Sequence, residues 1–144
     1  MARKVYVASS WRNTLQPGVV ASIRNAGHEV FDFRNPHDGK PGFQWSHADP
    51  NWQALQPYQY QTLLQHPAAV QGLQRDLEGM RWADCCVLVL PCERSAHTEL
   101  GWFIAQNKPV AVLLDESEPE LMYGLCDRLC HTSEHLISWL GEFS

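Results

Sequence analysis

The sequence is poor in basic residues, has no long apolar run and carries none of the glycine-rich signatures of nucleotide binding. Each shortage excludes something. Eleven Lys and Arg against 16 Asp and Glu give a formal charge of -5 and a pI near 5.7, in 144 residues. A nucleic-acid backbone or an anionic membrane rewards clustered cations, so neither is an expected partner. No stretch approaches the ~18 apolar residues of a membrane span. Met1 to Val5 runs straight into a strand-like segment with no secretory apolar region, so the cytoplasm is the expected location. Gly-x-Gly-x-x-Gly, Gly-x-x-x-x-Gly-Lys-Ser/Thr and a Ser nucleophile elbow are all missing, which removes support for a dinucleotide fold, a nucleotide triphosphatase and a serine hydrolase. Cysteine is odd in number, at five, and Cys85 and Cys86 are adjacent in a strand pattern where they must face opposite ways. Reduced thiols follow. Cys126, Cys130, His131 and His135 match no standard zinc spacing, so no metal and no cofactor is expected.

What is present is alternation. Lys4–Ala8 is rich in strand formers; Leu15 to Ala26 has helical spacing at Val19, Val20 and Ile23 and stops at Gly27. His28 to Phe33 reads as a second strand. Pro67 to Ala83 reads as a helix with Val70, Leu73, Leu77 and Met80 as its core face. Asp84 to Leu90, Ala96 to Gln106 and Pro109 to Leu114 continue as strand, helix and strand. A helical turn at Leu121 to Leu125, a short edge strand at Arg128 to His131 and a helix capped by Ser133 complete the chain. This order predicts one domain over residues 1–144, an α/β doubly wound, flavodoxin-like parallel sheet of about five strands with helices on both faces. The stretch from Arg34 to Pro57 is too long for an ordinary connection and holds Phe43, Trp45 and Trp52; aromatics favour a functional loop over disorder.

In such sheets ligands bind at the carboxyl ends of the strands. The loops expected there carry Ser9, Ser10, Trp11, Arg12 and Asn13, then Asp32 and the aromatic loop, then Glu93, Arg94, Ser95 and Glu99. Glu99, placed in the first turn of the helix starting at Ala96, is either a complement to the helix dipole or a carboxylate kept ionised for nucleophilic attack. Asp76 is either a surface carboxylate or a second acid facing the crevice. Phe43, Trp45 and Trp52, with Trp11, either pin the loop or offer faces for a nucleobase.

The series Tyr6-Val7-Ala8-Ser9-Ser10-Trp11-Arg12, Gly27-His28-Glu29-Val30, Arg75-Asp76-Leu77-Glu78-Gly79-Met80, Ala83-Asp84 and Ser95-Ala96-His97-Thr98-Glu99-Leu100-Gly101 resembles the nucleoside 2-deoxyribosyltransferase family, including its nucleotide N-glycosidase relatives. The resemblance implies a retaining substitution at C1′ of a nucleoside, with Glu99 as nucleophile and Asp76 as the acid on the base side. The glycosyl ester would be captured by another base or by water. It also implies that Ser10, Arg12 and Ser95 hold the sugar or a 5′-phosphate. Glu93 stands where nucleoside-type members bind the 5′-hydroxyl with an acid and monophosphate-cleaving members carry Ser. Met122, with Glu120 or Tyr123, would complete a neighbour's site in a homo-oligomer. Three alternatives remain: a nucleoside 5′-monophosphate N-glycosidase, a Toll/interleukin-1 receptor-like NAD glycohydrolase, and a non-catalytic nucleotide-binding sensor domain.

Overall fold

The computed structural model describes residues 2–143. Strands β1 (Lys4–Ala8), β2 (Glu29–Asp32), β3 (Cys85–Val89), β4 (Val110–Leu113) and β5 (Arg128–Cys130) form one sheet in the order β2-β1-β3-β4-β5. All four pairings are parallel. The predicted α/β doubly wound, flavodoxin-like fold is therefore observed. Helices α1 (Gln16–Asn25), α2 (Tyr60–Leu64), α3 (Pro67–Trp82), α4 (Arg94–Ala105) and α5 (Ser133–Glu142) make the connections, with short 3-10 turns in the long segment after β2 and at Leu121–Leu125. Among the described residues no helix is long and apolar enough to cross a membrane.

Period-two alternation splits the core into two layers. Val5, Val7, Cys85, Val87 and Val89 face α1 and α5, where Val19, Ile23, Leu136 and Leu140 meet them. Tyr6, Ala8, Cys86 and Leu88 face α3 and α4, against Met80, Ala96, Leu100 and Phe103. Fully burying an aliphatic side chain of this size contributes ~1.5–3 kcal/mol, so both layers are strongly held. Gly27 ends α1 at a φ of +95°, a conformation that suits glycine. All five cysteines are free thiols.

Two predicted helix starts shift. The last helix is capped by Thr132, not Ser133: the Thr132 hydroxyl accepts from the His135 backbone N–H at 3.1 Å. Helix α4 begins at Arg94 rather than Ala96, which moves Glu99 into its second turn.

The predicted core face of α3 is also corrected. Val70 and Leu73 are 40% and 69% exposed. The inward face is Ala69, Gly72, Gly79 and Met80, so the prediction holds at Met80 and fails at Val70 and Leu73, with Asp76 at the same helical spacing. Two glycines explain the choice. A Cβ at Gly79 would lie 2.6 Å from the Phe31 ring, and one at Gly72 would lie 2.7 Å from Phe43 Cβ. Aromatic rings occupy the volume that larger helix residues would fill, so at Val70 and Leu73 the apolar periodicity of α3 points away from its packed side.

Candidate active site

The strand order reverses between β1 and β3, and the chain is tied together at that point. Ser9 Oγ donates to the Val89 carbonyl at 2.8 Å; Asn13 Nδ2 donates to the carbonyls of Val89 at 3.1 Å and Pro91 at 3.0 Å. The Asn13 side-chain oxygen accepts from the backbone N–H groups of Leu15 and Gln16, starting α1. Arg34 closes the first loop from the other side. Its Nη2 donates to the carbonyls of Ser10 (3.0 Å), Trp11 (2.9 Å) and Asn13 (2.8 Å), and its guanidinium lies 5.5 Å from the Trp11 ring. Asn13 belongs to the first loop that the sequence places at the crevice; Arg34 does not stand out in the sequence, because bonds from a side chain to distant carbonyls leave no periodic trace.

Three acidic groups meet beside this junction. Tyr6, fully buried on β1, donates its hydroxyl to Glu99 Oε2. Glu99 lies on the inward face of α4 with Ala96, Leu100 and Phe103 at helical spacing. Burial lifts the Glu99 carboxyl from its ordinary 4.5 to about 8; the Tyr6 hydrogen bond opposes the rise and the nearby Asp76 adds to it. Asp76 is raised by burial to about 6, with Arg75 pulling the other way. Charge from Glu99 and Asp76, on top of burial, holds the Tyr6 phenol protonated well above its usual range. The expectation that a helix terminus keeps Glu99 ionised is thus corrected: it sits a turn too deep for the dipole, and desolvation outweighs its hydrogen bond.

Tyr6 was not among the residues singled out for the site. It is held by stacking on Phe31, with ring centroids 5.2 Å apart and planes within 6°, and Phe31 lies flat on Gly79 of α3. The glycine therefore sets the phenol, and the phenol addresses Glu99.

The remaining candidate residues fall into three groups. Arg12 and Glu93 are exposed and 3.9 Å apart at the rim, with Ser95 exposed nearby in the first turn of α4. Trp11, Phe43 and Trp45 form a supporting framework: the Trp11 indole donates to the Phe43 carbonyl at 3.0 Å, and Phe43 meets Trp45 edge to face at 5.0 Å. Asp32 is buried and engaged internally, accepting from Gln16 Nε2 at 2.8 Å and the Arg34 backbone N–H at 3.0 Å. Its carboxylate shapes the turn after β2 instead of lining the crevice. Met122 is 58% exposed and Leu121 88%. Tyr123 beside them is buried: His97 Nδ1 faces the Glu93 carbonyl at 2.9 Å, which leaves Nε2 to accept the Tyr123 hydroxyl at 2.8 Å. Tyr123 is thus an anchor for the segment and not free to reach a neighbour.

No family model matches the chain, and no curated protein matches it significantly. Solved structures do. A 2-deoxyribosyltransferase from Bacillus psychrosaccharolyticus aligns with a TM-score of 0.58 at 18% identity, over 97% of this chain and 91% of that one. The CMP N-glycosidase BcmB of Clostridium botulinum aligns at 0.56 and 16%, over 95% and 97%. A conserved protein from Enterococcus faecalis V583 aligns at 0.62 and 15%, over 99% of each. The resemblance carried by the sequence motifs thus extends to the whole fold, and the chain shares the architecture of a 2-deoxyribosyltransferase and of a CMP N-glycosidase.

Proposed function

We propose that the chain cleaves the N-glycosidic bond of 2′-deoxynucleosides and transfers the deoxyribosyl group to another nucleobase or to water. The observation that carries this reading is the Tyr6 hydroxyl, from the middle of β1, on the Glu99 carboxyl, with Asp76 close enough to shift both. With apparent values near 6 and 8, the pair holds one proton between them at neutral pH. One ionised and one protonated carboxyl is the combination that retaining glycosidic chemistry needs.

The reactive arrangement has the proton on Asp76 and the charge on Glu99. Glu99 Oε attacks C1′ while the C1′–N bond breaks, its electron pair passing to the base nitrogen and the Asp76 proton to the departing base. An incoming base or water then attacks C1′, Glu99 leaves, and Asp76 takes back a proton. Because Glu99 has the higher proton affinity of the two, the opposite arrangement dominates in the free protein. The Tyr6 hydrogen bond favours the charged Glu99 and so raises the reactive fraction.

Glu93 supports a free nucleoside over a monophosphate, since its carboxylate repels phosphate and already engages Arg12. The exposed Leu121, Met122 and Leu125 support a homo-oligomer in which this segment covers a neighbour's sugar site. The test is incubation with deoxynucleosides, their 5′-monophosphates and NAD, with and without an acceptor base, followed by chromatography of the bases. Release from deoxynucleosides, diverted into exchange by the acceptor, is expected. Turnover of NAD alone, or saturable binding with no turnover, would overturn the reading.

A further inference from the structure

A cavity of about 290 Å³ lies away from Glu99, between the aromatic loop and the amino-terminal half of α3. Its lining is unlike the rest of this acidic protein: Lys40 and His47 come from the loop, Gln71 and Arg75 from α3, and Phe43 and Ala68 form the apolar wall. The volume falls at the small end of ligand pockets, which begin at roughly 300 Å³.

Hydrogen-bond accounting shows what the cavity seeks. His47 Nδ1 accepts from the Gln44 backbone N–H at 3.3 Å, so in the neutral ring Nε2 carries the proton and can only donate. Lys40 Nζ has no acceptor among the described residues. Arg75 donates Nη1 to the Pro41 carbonyl at 2.9 Å and Nε to the Gln71 carbonyl at 3.5 Å, with Asp38 3.6 Å from Nε as an ion-pair partner, leaving Nη2 without an acceptor among the described residues. Two carboxylates engage Arg75: Asp76, whose burial-driven rise its charge opposes, and Asp38, whose other oxygen accepts from the Lys40 backbone N–H at 3.0 Å. Neither pairs with Lys40 Nζ, which has no ion-pair partner among the described residues.

We infer that this cavity is a binding site for a small phosphate-type oxyanion, held by Lys40, His47 and Arg75 across the gap between the aromatic loop and α3. A tetrahedral oxyanion presents several acceptors to donors arriving from two walls, which is the geometry Lys and Arg serve in phosphate recognition. The ligand is free phosphate or a phosphomonoester whose organic part rests on Phe43. Occupancy would also stiffen the loop, since Phe43 packs on Gly72 and receives the Trp11 indole through its carbonyl. The inference does not rest on the glycosidic reading of Glu99.

Calorimetric titration of the full chain with inorganic phosphate and, separately, phenyl phosphate tests it, at constant ionic strength. Saturable binding of at least one is expected, weakened about fivefold or more by Lys40→Gln and largely restored by Lys40→Arg, as for an accessible charge-assisted contact. Stronger binding of phenyl phosphate than phosphate identifies an ester as the ligand, and the reverse identifies the free ion. Lys40 is exposed, so its variants retain the fold. Absence of saturable binding of either probe overturns the inference. So does binding that survives Lys40→Gln but is lost in Arg12→Gln, which would place the anion at the crevice rim instead.

Discussion

The two faces of the sheet are built from the same alternating strands yet do different work. Toward α1 and α5, β1 and β3 present Val5, Val7, Cys85, Val87 and Val89 to an apolar layer closed by Leu136, Trp139 and Leu140. Toward α3 and α4, the same strands present Tyr6 and Cys86, and the opposing helices contribute Asp76 and Glu99. One face seals the sheet while the other accepts buried ionisable groups. The difference shows that a costly carboxyl pair is confined to the layer that opens at the strand order's reversal.

The sharpest break of this comparison is a pair of substitutions, one per face. Glu99→Gln is expected to lower glycosidic turnover at least ~10³-fold, the scale for removing a nucleophile, while leaving the fold intact. It should also stabilise the protein at alkaline pH. Glu99 has a folded value near 8 against an ordinary 4.5, so the folded state binds more protons than the unfolded state between these values and stability falls as pH rises through that window. Gln carries no charge to bury. Its gain over the native residue should be near zero at pH 4 and reach on the order of 2–4 kcal/mol by pH 9, measured by urea unfolding. Leu136→Ala on the opposite face reverses the pattern: ~2–5 kcal/mol lost at every pH, with turnover per folded molecule unchanged. A Glu99→Gln variant less stable than the native chain at pH 9 would contradict the assigned burial cost.

Tyr6→Phe probes the contact between strand and helix within the ionisable layer. The ring keeps its stack on Phe31, so the fold stays. The lost donor removes the one interaction that opposes the burial-driven rise of the Glu99 carboxyl. Turnover should fall ~10- to 100-fold, the scale of a hydrogen bond to a charged group. The rate of the native chain should be bell-shaped, with limbs near pH 6 and pH 8 for the carboxyl pair. Below the first limb both acids are protonated and no nucleophile exists; above the second no acid remains. In Tyr6→Phe the upper limb should move to higher pH. An unmoved limb would show that the phenol supports the ring stack and nothing more.

These side chains were unequally legible in the sequence. The fold was readable because strand and helix periodicities alternate, and buried β3 is a continuous apolar run. Glu99 and Asp76 stand out through their motif series, but the environment of Glu99 is not the one its spacing suggests. A register of two residues at the start of α4 decides whether Glu99 sits at a helix dipole or beneath it. The inward face of α3 is legible at Met80 but not at Gly72 and Gly79, where packing uses glycine, whose contribution is space. Tyr6 was invisible for a related reason: on a β-strand an aromatic residue reads as core, and only the helix opposite reveals that its hydroxyl has an acidic partner. Asp32, conversely, had the right position at the end of β2 and the wrong neighbours, since Gln16 and Arg34 engage its Oδ1 and Asn35 its Oδ2.

The smallest expected effect lies at the rim, where neither face's burial applies. Arg12 and Glu93 stand 3.9 Å apart with side chains 80% and 70% exposed, so water and salt screen their attraction. Glu93→Ser should leave the melting temperature within about 1 °C of the native value. Specificity should move instead. Removing the carboxylate takes away a charge that repels a 5′-phosphate and releases the Arg12 guanidinium to receive one. The ratio of kcat/KM for a deoxynucleoside 5′-monophosphate to that for its nucleoside should rise about tenfold, which corresponds to ~1.4 kcal/mol of differential stabilisation. Competition between the two substrates in one reaction measures that ratio directly. An unchanged ratio would mean that the 5′ end of the sugar does not approach Glu93, and that its selection is made in the buried layer with Tyr6, Asp76 and Glu99.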